Sequence, residues 1–402
     1  MRKSADSSVD FVESSLLTLP LTIAALAVCG VAFSLYGRIP AALFSLGLAA
    51  VAAGSRLWAR RALDEVSASL VPEARCFFPG DTCSLRITLS NRKWLPLIWL
   101  TVRLPLGKGG AVMPRHPGEV TEVLEEPFYE KNVSCLLWHQ QLSYTGAFRA
   151  EHRGVLSLRE IRLLSGDGLC LCVRGKNIPL PAPLTLTVFP RLVPVSTRWF
   201  HRRSWELETG ARGFQDDRTL IRNVRRYQPG DPARALNFRL MARGQGPMVN
   251  IYEKFSPRRA AFLLDGASFA GLPPEDFEAA LEILASLLVQ LSGEEVAVTL
   301  LTSAPAGGRA GWESCANSQQ LAGVLSLLAG ADTASALSAA DVETHMPRLS
   351  GAFLVCGEVR RLDEATCGLL SRHRVPLLAW GVQTHPLLQV LDLNAFRAGG
   401  GL

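Results

Sequence analysis

Thirteen arginines lie between Arg198 and Arg259, and a guanidinium is the side chain best shaped to pair with a carboxylate or phosphate through two parallel hydrogen bonds. Three chemistries fit such a density. It can form an internal lattice with Glu206, Glu208, Asp216, Asp217 and Asp231, a docking surface for an acidic protein partner, or a nucleic-acid-binding surface. Nucleic acid is the weakest of these. The neighbouring aromatics, Trp199, Phe200, Trp205, Phe214, Tyr227 and Phe238, follow no single-strand or zinc-module pattern. Anionic lipid headgroups are a further phosphate-bearing option if the chain is tethered to a bilayer.

The centre of this segment runs from Arg225 through Tyr227, Pro229, Gly230, Asp231, Arg234, Asn237 and Phe238 to Arg243. Pro229 and Gly230 suit the middle of a type II turn, whose third residue needs a positive φ. Asp231 is placed to cap a helix that opens on Pro232, with Leu236 and Leu240 four apart on one face.

A second candidate is Asp265-Gly266-Ala267-Ser268-Phe269, which follows the apolar run Ala260 to Leu264. In parallel sheets, sites form beyond the carboxyl ends of strands, so this is the place to look. A hydrolase reading pairs Ser268 and Asp265 with His345, His373 or His385 brought near by folding. The segment Gly266 to Gly271 is one residue too long for a nucleophile elbow. There is no phosphate-binding Gly-x-x-x-x-Gly-Lys-[Ser/Thr], no His-Glu-x-x-His and no Cys-x-x-Cys, so nucleotide hydrolysis and zinc chemistry lack their motifs. The nine cysteines read as reduced thiols, with Cys170 and Cys172 alternating onto one face of a strand.

The elements that must position these residues fall into three zones. The chain is 48% hydrophobic and 19% charged, and the apolar excess sits at the front. Leu16 to Tyr36 carries no charge, and a second uncharged run spans Ile39 to Ser55, extended by Leu57 and Trp58. At about 1.5 Å per residue, the first run alone can cross a hydrocarbon layer of roughly 30 Å. The two predict a transmembrane α-hairpin over residues 16–58, after a cytoplasmic N-terminus of residues 1–15. Arg2 and Lys3 precede the pair, Arg56, Arg60 and Arg61 follow it, and only Arg38 lies in the turn. The positive-inside rule then places both ends, and the soluble remainder, in the cytoplasm.

Residues 66–195 show runs of period two and predict an antiparallel β-sandwich-like domain. Thr82 to Asn91 is the clearest run, and Ile98 to Leu104, Val133 to Tyr144, Val155 to Leu164, Leu169 to Val173 and Leu184 to Phe189 follow. After the arginine-rich segment, residues 198–257, the pattern switches again. Residues 258–402 alternate apolar strands (Ala260 to Leu264, Val296 to Leu301, Ala352 to Cys356, Val375 to Trp380) with helices (Glu275 to Leu291, Ser318 to Leu328, Asp363 to Arg372). That alternation predicts a Rossmann-like α/β domain with a parallel sheet covered on both faces.

Two resemblances rest on these residues. A strand ending in Asp-x-Ser-x-Ser marks von Willebrand factor A domains, where an Asp and two hydroxyls hold a divalent cation such as Mg. Asp265 matches, but the serine positions are Ala267 and Phe269. Asp265 and Ser268 are thus a degenerate metal site, and no cofactor is expected, since a hard cation needs several oxygen ligands.

The segment from Arg225 to Arg243 resembles the signature of a widespread bacterial membrane-protein family, the domain of unknown function fifty-eight. Arg225, Tyr227, Pro229, Gly230, Asp231, Arg234, Asn237, Ala242 and Arg243 match, whereas the family's Trp is Phe238 and the small residue before Ala-Arg is Met241. Arg153-Gly154-Val155 and Gly166-Asp167-Gly168-Leu169 are similar to further family landmarks. The resemblance spans nearly the whole chain. It implies a bacterial inner-membrane protein with two spans, a β-rich region and a von Willebrand A-like domain, working beside a MoxR-type AAA+ ATPase in assembling or maturing other proteins. The expected function is non-enzymatic interaction. The alternatives are a Ser268/Asp265 hydrolase and cation-dependent adhesion.

Overall fold

The computed structural model describes residues 11–107, 110–116, 119–123, 126–200, 215–229, 236–244, 246–255, 259–302, 311–315, 320–334, 336–345 and 351–397. The chain divides into two compact units, Met1–Pro190 and Arg191–Leu402.

The first unit opens with strand β1 (Phe11–Ser14), a short 3-10 turn (Leu16–Thr18) and two helices, α1 (Pro20–Leu35) and α2 (Ile39–Ala62). Proline enters each helix in its first turn, where no amide donor is required. The burial pattern of the pair is the inverse of a water-soluble helix. The side of α2 turned inward is small: Ala42, Ser45, Ala49, Ala52, Ser55 and Ala59. Leu43, Phe44, Val51 and Leu57 stay exposed, as do Leu21, Val28 and Leu35 of α1. Small residues let helix backbones approach where lipid solvates the bulky side chains. Gly30 shows the closeness, for a Cβ built there would sit 2.6 Å from Leu46 Cγ. Among the described residues, one helix, Ile39–Ala62, is long and apolar enough to cross a membrane.

Ten further strands complete this unit: β2 (Val66–Pro72), β3 (Cys76–Phe77), β4 (Thr82–Asn91), β5 (Leu100–Pro105), β6 (Val112–Pro114), β7 (Val120–Val123), β8 (Glu126–Val133), β9 (Gln141–Ala150), β10 (Gly154–Gly166) and β11 (Cys172–Val188). They form two sheets, ordered β1-β11-β10-β5-β8-β7, with β3 also on β11, and β2-β4-β9-β6. Apart from the β3 pair, the ladders are antiparallel. One apolar core takes Leu85, Ile87 and Leu89 from the second sheet and Val102, Leu104, Ile161, Leu163 and Leu186 from the first. In β4 the alternation is complete, with Cys83, Leu85, Ile87, Leu89 and Asn91 inward.

Two expectations change here, and one strand is new. Val133 to Tyr144 is not one strand: β8 ends at Val133 and β9 begins at Gln141, with His139 in the left-handed region at φ 52°. Leu169 to Val173 is largely a turn. Asp167 draws it tight, its carboxylate accepting from Leu169 N at 3.3 Å and Cys172 N at 2.8 Å. Cys170 therefore sits exposed at φ 55°, while Cys172 is buried at the start of β11, so the two do not share a strand face. Residues 11–14 are a strand of the sandwich, pairing Ser14 with Cys172 and Phe11 with Gly175.

In the second unit, β12 (Gln215–Arg226) and β13 (Met248–Phe255) form a two-stranded antiparallel ribbon, with helix α3 (Phe238–Met241) between them in sequence. Then come β14 (Arg259–Leu264), α4 (Pro274–Gly293), β15 (Ala297–Thr302), β16 (Gly311–Cys315), α5 (Leu321–Ala329), α6 (Ala339–His345), β17 (Ala352–Cys356), α7 (Glu364–Arg372), β18 (Leu377–Ala379) and β19 (Val390–Asp392). The sheet order is β16-β15-β14-β17-β18-β19. All its pairs are parallel except β15 with the edge strand β16, so the sheet is mixed rather than wholly parallel. Ala261, Leu263 and Leu354 pack with Val342 of α6 and Leu370 of α7. Phe262 and Phe353, register partners, join Phe200, Trp199 and Phe396 in an aromatic cluster. Phe200 is thus a core side chain, and half-buried Trp199 packs against it.

Candidate functional site

Three places gather polar chemistry among the described residues. The first is the arginine signature. Arg225 and Arg226 end β12 opposite Val249 and Met248, and the chain leaves the ribbon at Tyr227, whose N–H donates to Pro247 O at 3.0 Å. It returns at Leu236, bridged to Val249, and Asn237 N donates to Met248 O at 2.8 Å. Asn237 is the pivot of this return. Its side-chain oxygen accepts from Leu240 N at 3.1 Å and caps α3, while Nδ2 donates to Asn250 Oδ1 at 2.7 Å. Asparagine is among the best N-caps because its short amide satisfies an otherwise orphaned helix N–H.

The cap of α3 is therefore Asn237, and Leu236 lies in a β-bridge before the helix, so Leu236 and Leu240 do not share a helical face. Gly230, Asp231, Pro232 and Arg234 lie outside the described residues. Pro229, Tyr227, Arg226, Arg239 and Arg243 are exposed, and Phe238 is 68% exposed although it opens a helix. Arg225 is half-buried and donates from Nη1 to Arg226 O at 3.1 Å. The described signature thus presents two aromatic rings and three cations to solvent from a short ribbon.

The second place is the end of β14. Asp265 is 4% exposed, and Oδ1 accepts from Leu337 N at 2.7 Å. Ser268 is fully buried. Its hydroxyl donates to Asp265 O at 2.7 Å and accepts from Gly357 N at 2.9 Å. Gly357 is required by this closeness, since a Cβ there would lie 2.7 Å from Ser268 O. Burial pushes the Asp265 carboxyl above its ordinary range, against the opposing pull of the Leu337 and Ser268 hydrogen bonds. Burial, with Asp265 nearby, likewise pushes the Cys356 thiol up.

Both hydrogen bonds of the Ser268 hydroxyl go to backbone groups. The rings of His345 and His385 are bonded locally, His345 Nδ1 to Asp341 O at 2.8 Å and His385 Nδ1 accepting from Leu387 N at 3.1 Å, and Trp312 stacks on His345. Ala267 and Phe269 supply no side-chain oxygen, and among the described residues no three His, Cys, Asp or Glu side chains gather to hold a metal.

The third place has no local motif. Three cationic side chains of the sandwich reach the carbonyls that end α2: Lys93 Nζ donates to Ala62 O, Arg174 Nη1 to Arg60 O, and Lys176 Nζ to Leu63 O at 3.4 Å. Arg174 also pairs with Asp64 at 2.9 Å. Cations at a helix C-terminus satisfy orphaned carbonyls and oppose the negative end of the helix dipole. At the entrance, Arg56 donates to Thr18 O at 2.5 Å and Ser15 N donates to Leu171 O at 2.9 Å. Burial pulls Lys93 down from 10.5 to about 8 despite the opposing charges of Asp64 and Glu65.

No family model matches this sequence, and no curated protein matches it. Among solved structures, a CARDB domain from Pyrococcus furiosus in complex with di-metal ions is 8% identical, covering 31% of this chain and 91% of that one at a TM-score of 0.20. A type II cohesin domain from the cellulosome of Acetivibrio cellulolyticus is 9% identical, covering 30% and 94% at 0.20. AvmM, which catalyses macrocyclization in alchivemycin A biosynthesis, is 12% identical, covering 31% and 89% at 0.21. Likenesses this slight carry no argument about chemistry.

Proposed function

We propose that this chain is a non-enzymatic, membrane-anchored interaction protein of the bacterial cell membrane, related to the domain of unknown function fifty-eight family. In this reading, α1 and α2 form a two-pass anchor and the remainder lies in the cytoplasm. The β14 to β19 sheet is a von Willebrand A-like domain without its cation. The signature around Arg225 to Arg243 docks an acidic face of a MoxR-type AAA+ ATPase or of its client.

The observation that carries the anchor is the pairing of β1 with β11. The strand before α1 belongs to the same sheet as strands after α2, which supports chain entry and exit on one side of a bilayer. It favours reading α1 and its preceding turn as the return crossing for α2. The outward Leu, Phe and Val side chains of both helices supply the lipid-facing surface. The cations at the exit, Arg56, Arg60, Arg61 and Lys93, favour the cytoplasmic side for that end.

The docking role is supported by the solvent-facing Tyr227, Phe238, Arg226, Arg239 and Arg243. Aromatic and arginine side chains dominate protein interfaces because they bury much area and pair with carboxylates. The buried bonds at Ser268 favour a structural over a hydrolytic role for that turn. Capture of a purified MoxR-type ATPase by the detergent-solubilised full chain tests the reading. Wild type retains the ATPase, and Phe238→Ala or Arg243→Ala retains at least several-fold less. Equal or absent retention by all three forms contradicts it.

A further inference from the structure

The sandwich has two ends, and they differ in chemistry. Three loops close the end next to the helical hairpin: residues 92–99 after β4, residues 134–140 before β9 and residues 167–171 between β10 and β11. Their place is fixed by register. Asn91 at the end of β4 pairs with Val66, the first strand residue after α2, and Cys172 at the start of β11 pairs with Ser14, the last strand residue before α1. The loops are also tied to one another. Leu97 bridges Leu136, the Asn91 amide donates to the carbonyls of Leu95 and Leu137 at 3.0 Å, Trp99 Nε1 donates to Asp167 O at 3.1 Å, and Trp94 packs edge-on against His139 at 5.0 Å.

A surface so well pinned has no folding reason to be greasy, yet it is. Trp94 is 78% exposed, Leu169 62% and Trp138 52%, with Ile98 and Leu137 also exposed. Among the described residues, the turns beside β4 and β9 at the opposite end run through Gly80, Asp81, Glu151 and His152. Exposed apolar residues scattered singly need no account, but five on three interlocked loops form a patch.

We infer that this end of the sandwich lies in the interfacial zone of the bilayer that the hairpin crosses, with Trp94, Trp138, Ile98, Leu137 and Leu169 entering the headgroup and upper acyl region. The inference rests on the anchoring reading above. Level and chemistry both point to lipid. Lys93, next to Trp94, bonds the carbonyl of Ala62, which is about 6 Å along the helix from Trp58, half-buried near the end of the apolar run of α2. The loop tips therefore stand at the depth where a helix leaves the hydrocarbon. Tryptophan is suited to that depth, since its ring prefers the apolar side and its N–H the wet side. Exposed Arg60, Arg61 and Arg92 flank the patch and match anionic headgroups.

The test uses the full chain in nanodiscs of phosphatidylcholine brominated in the upper acyl chain, reading the part of the tryptophan emission that the bromines quench. Wild type is compared with Trp58→Phe, Trp94→Phe, Trp138→Phe and, as a control in the second unit, Trp312→Phe. These conservative changes keep an aromatic ring at each position. Trp94→Phe and Trp138→Phe each lower the quenched emission by an amount comparable with Trp58→Phe, and Trp312→Phe leaves it unchanged. If Trp58→Phe lowers it while Trp94→Phe and Trp138→Phe do not, the loops stand clear of lipid and this inference fails while the anchor stands. If none of the three lowers it, the anchor fails as well.

Discussion

Lys93 Nζ donates to the backbone carbonyl of Ala62, so a sandwich loop closes the last turn of the helix that carries the chain out of its apolar hairpin. The bond joins residues 31 positions apart and is buried at both ends. With Arg174 and Lys176 on the neighbouring carbonyls, it makes hairpin and sandwich one folded unit rather than a domain on a leash.

Lys93→Met should lower the stability of the first unit by about 1–3 kcal/mol, because it leaves the Ala62 carbonyl without its partner. The pH profile separates this from a plain packing loss. The Lys93 pKa is depressed in the folded state, so the unfolded chain holds more protons between about 8 and 10.5. Wild-type stability therefore gains a contribution as pH rises through that window, and Lys93→Met lacks it. Chemical unfolding in detergent at pH 7.5 and 10 measures both effects.

Gly30→Val should push α1 away from α2, since the first added carbon already falls within 2.6 Å of Leu46. A cost of about 1–3 kcal/mol is expected. Gly47→Ala on the facing helix meets nothing within 4 Å and should be neutral or slightly stabilising through helix propensity. Thermal unfolding in nanodiscs compares the two.

Ser268→Ala removes a hydroxyl bonded on both sides and strands the buried Gly357 N–H, at a cost of about 1–3 kcal/mol to the second unit. Addition of millimolar Mg or Mn should leave the wild-type unfolding midpoint unchanged. A cation-dependent rise that vanishes in Ser268→Ala or Asp265→Asn would restore the metal site.

Asp265 gives the opposite pH sign to Lys93. Its carboxyl is raised in the folded state, so the folded chain holds more protons above the ordinary carboxylate value of 3.8. The stability of the second unit therefore declines as pH rises from there and levels off once the folded group has ionised. Asp265→Asn should flatten that decline, as followed by denaturant unfolding between pH 3.5 and 7.

Much of the fold was legible because its signals are local. The alternation from Thr82 to Asn91 and the unbroken apolar runs at Ala260 and Ala352 are consequences of one buried or two buried faces, and the strands fall where these patterns lie. Turns made by side chains are not periodic. His139 and Cys170 take positive φ without being glycine, and Asp167 bends an apolar run that reads as strand. Strand β1 has only four residues, and its identity depends on β11 more than 150 positions away. The same limit governs the sites. The position of Asp265 at a strand's carboxyl end follows from the sheet pattern, but its burial under Leu337 does not. In the signature, the cap expected at Asp231 lies outside the described residues, and the Asn237 cap of α3 is set by ribbon register, which no local capping rule encodes.

The account turns on two crossings with the helix connection outside and both soluble units within. Arg38, exposed between α1 and α2, is replaced by cysteine, and intact cells are treated with a membrane-impermeant maleimide. Arg38→Cys should be labelled in intact cells, while the native cysteines of the wild-type chain react only after the membrane is opened. Labelling of wild type at once, or protection of Arg38→Cys until lysis, contradicts the account.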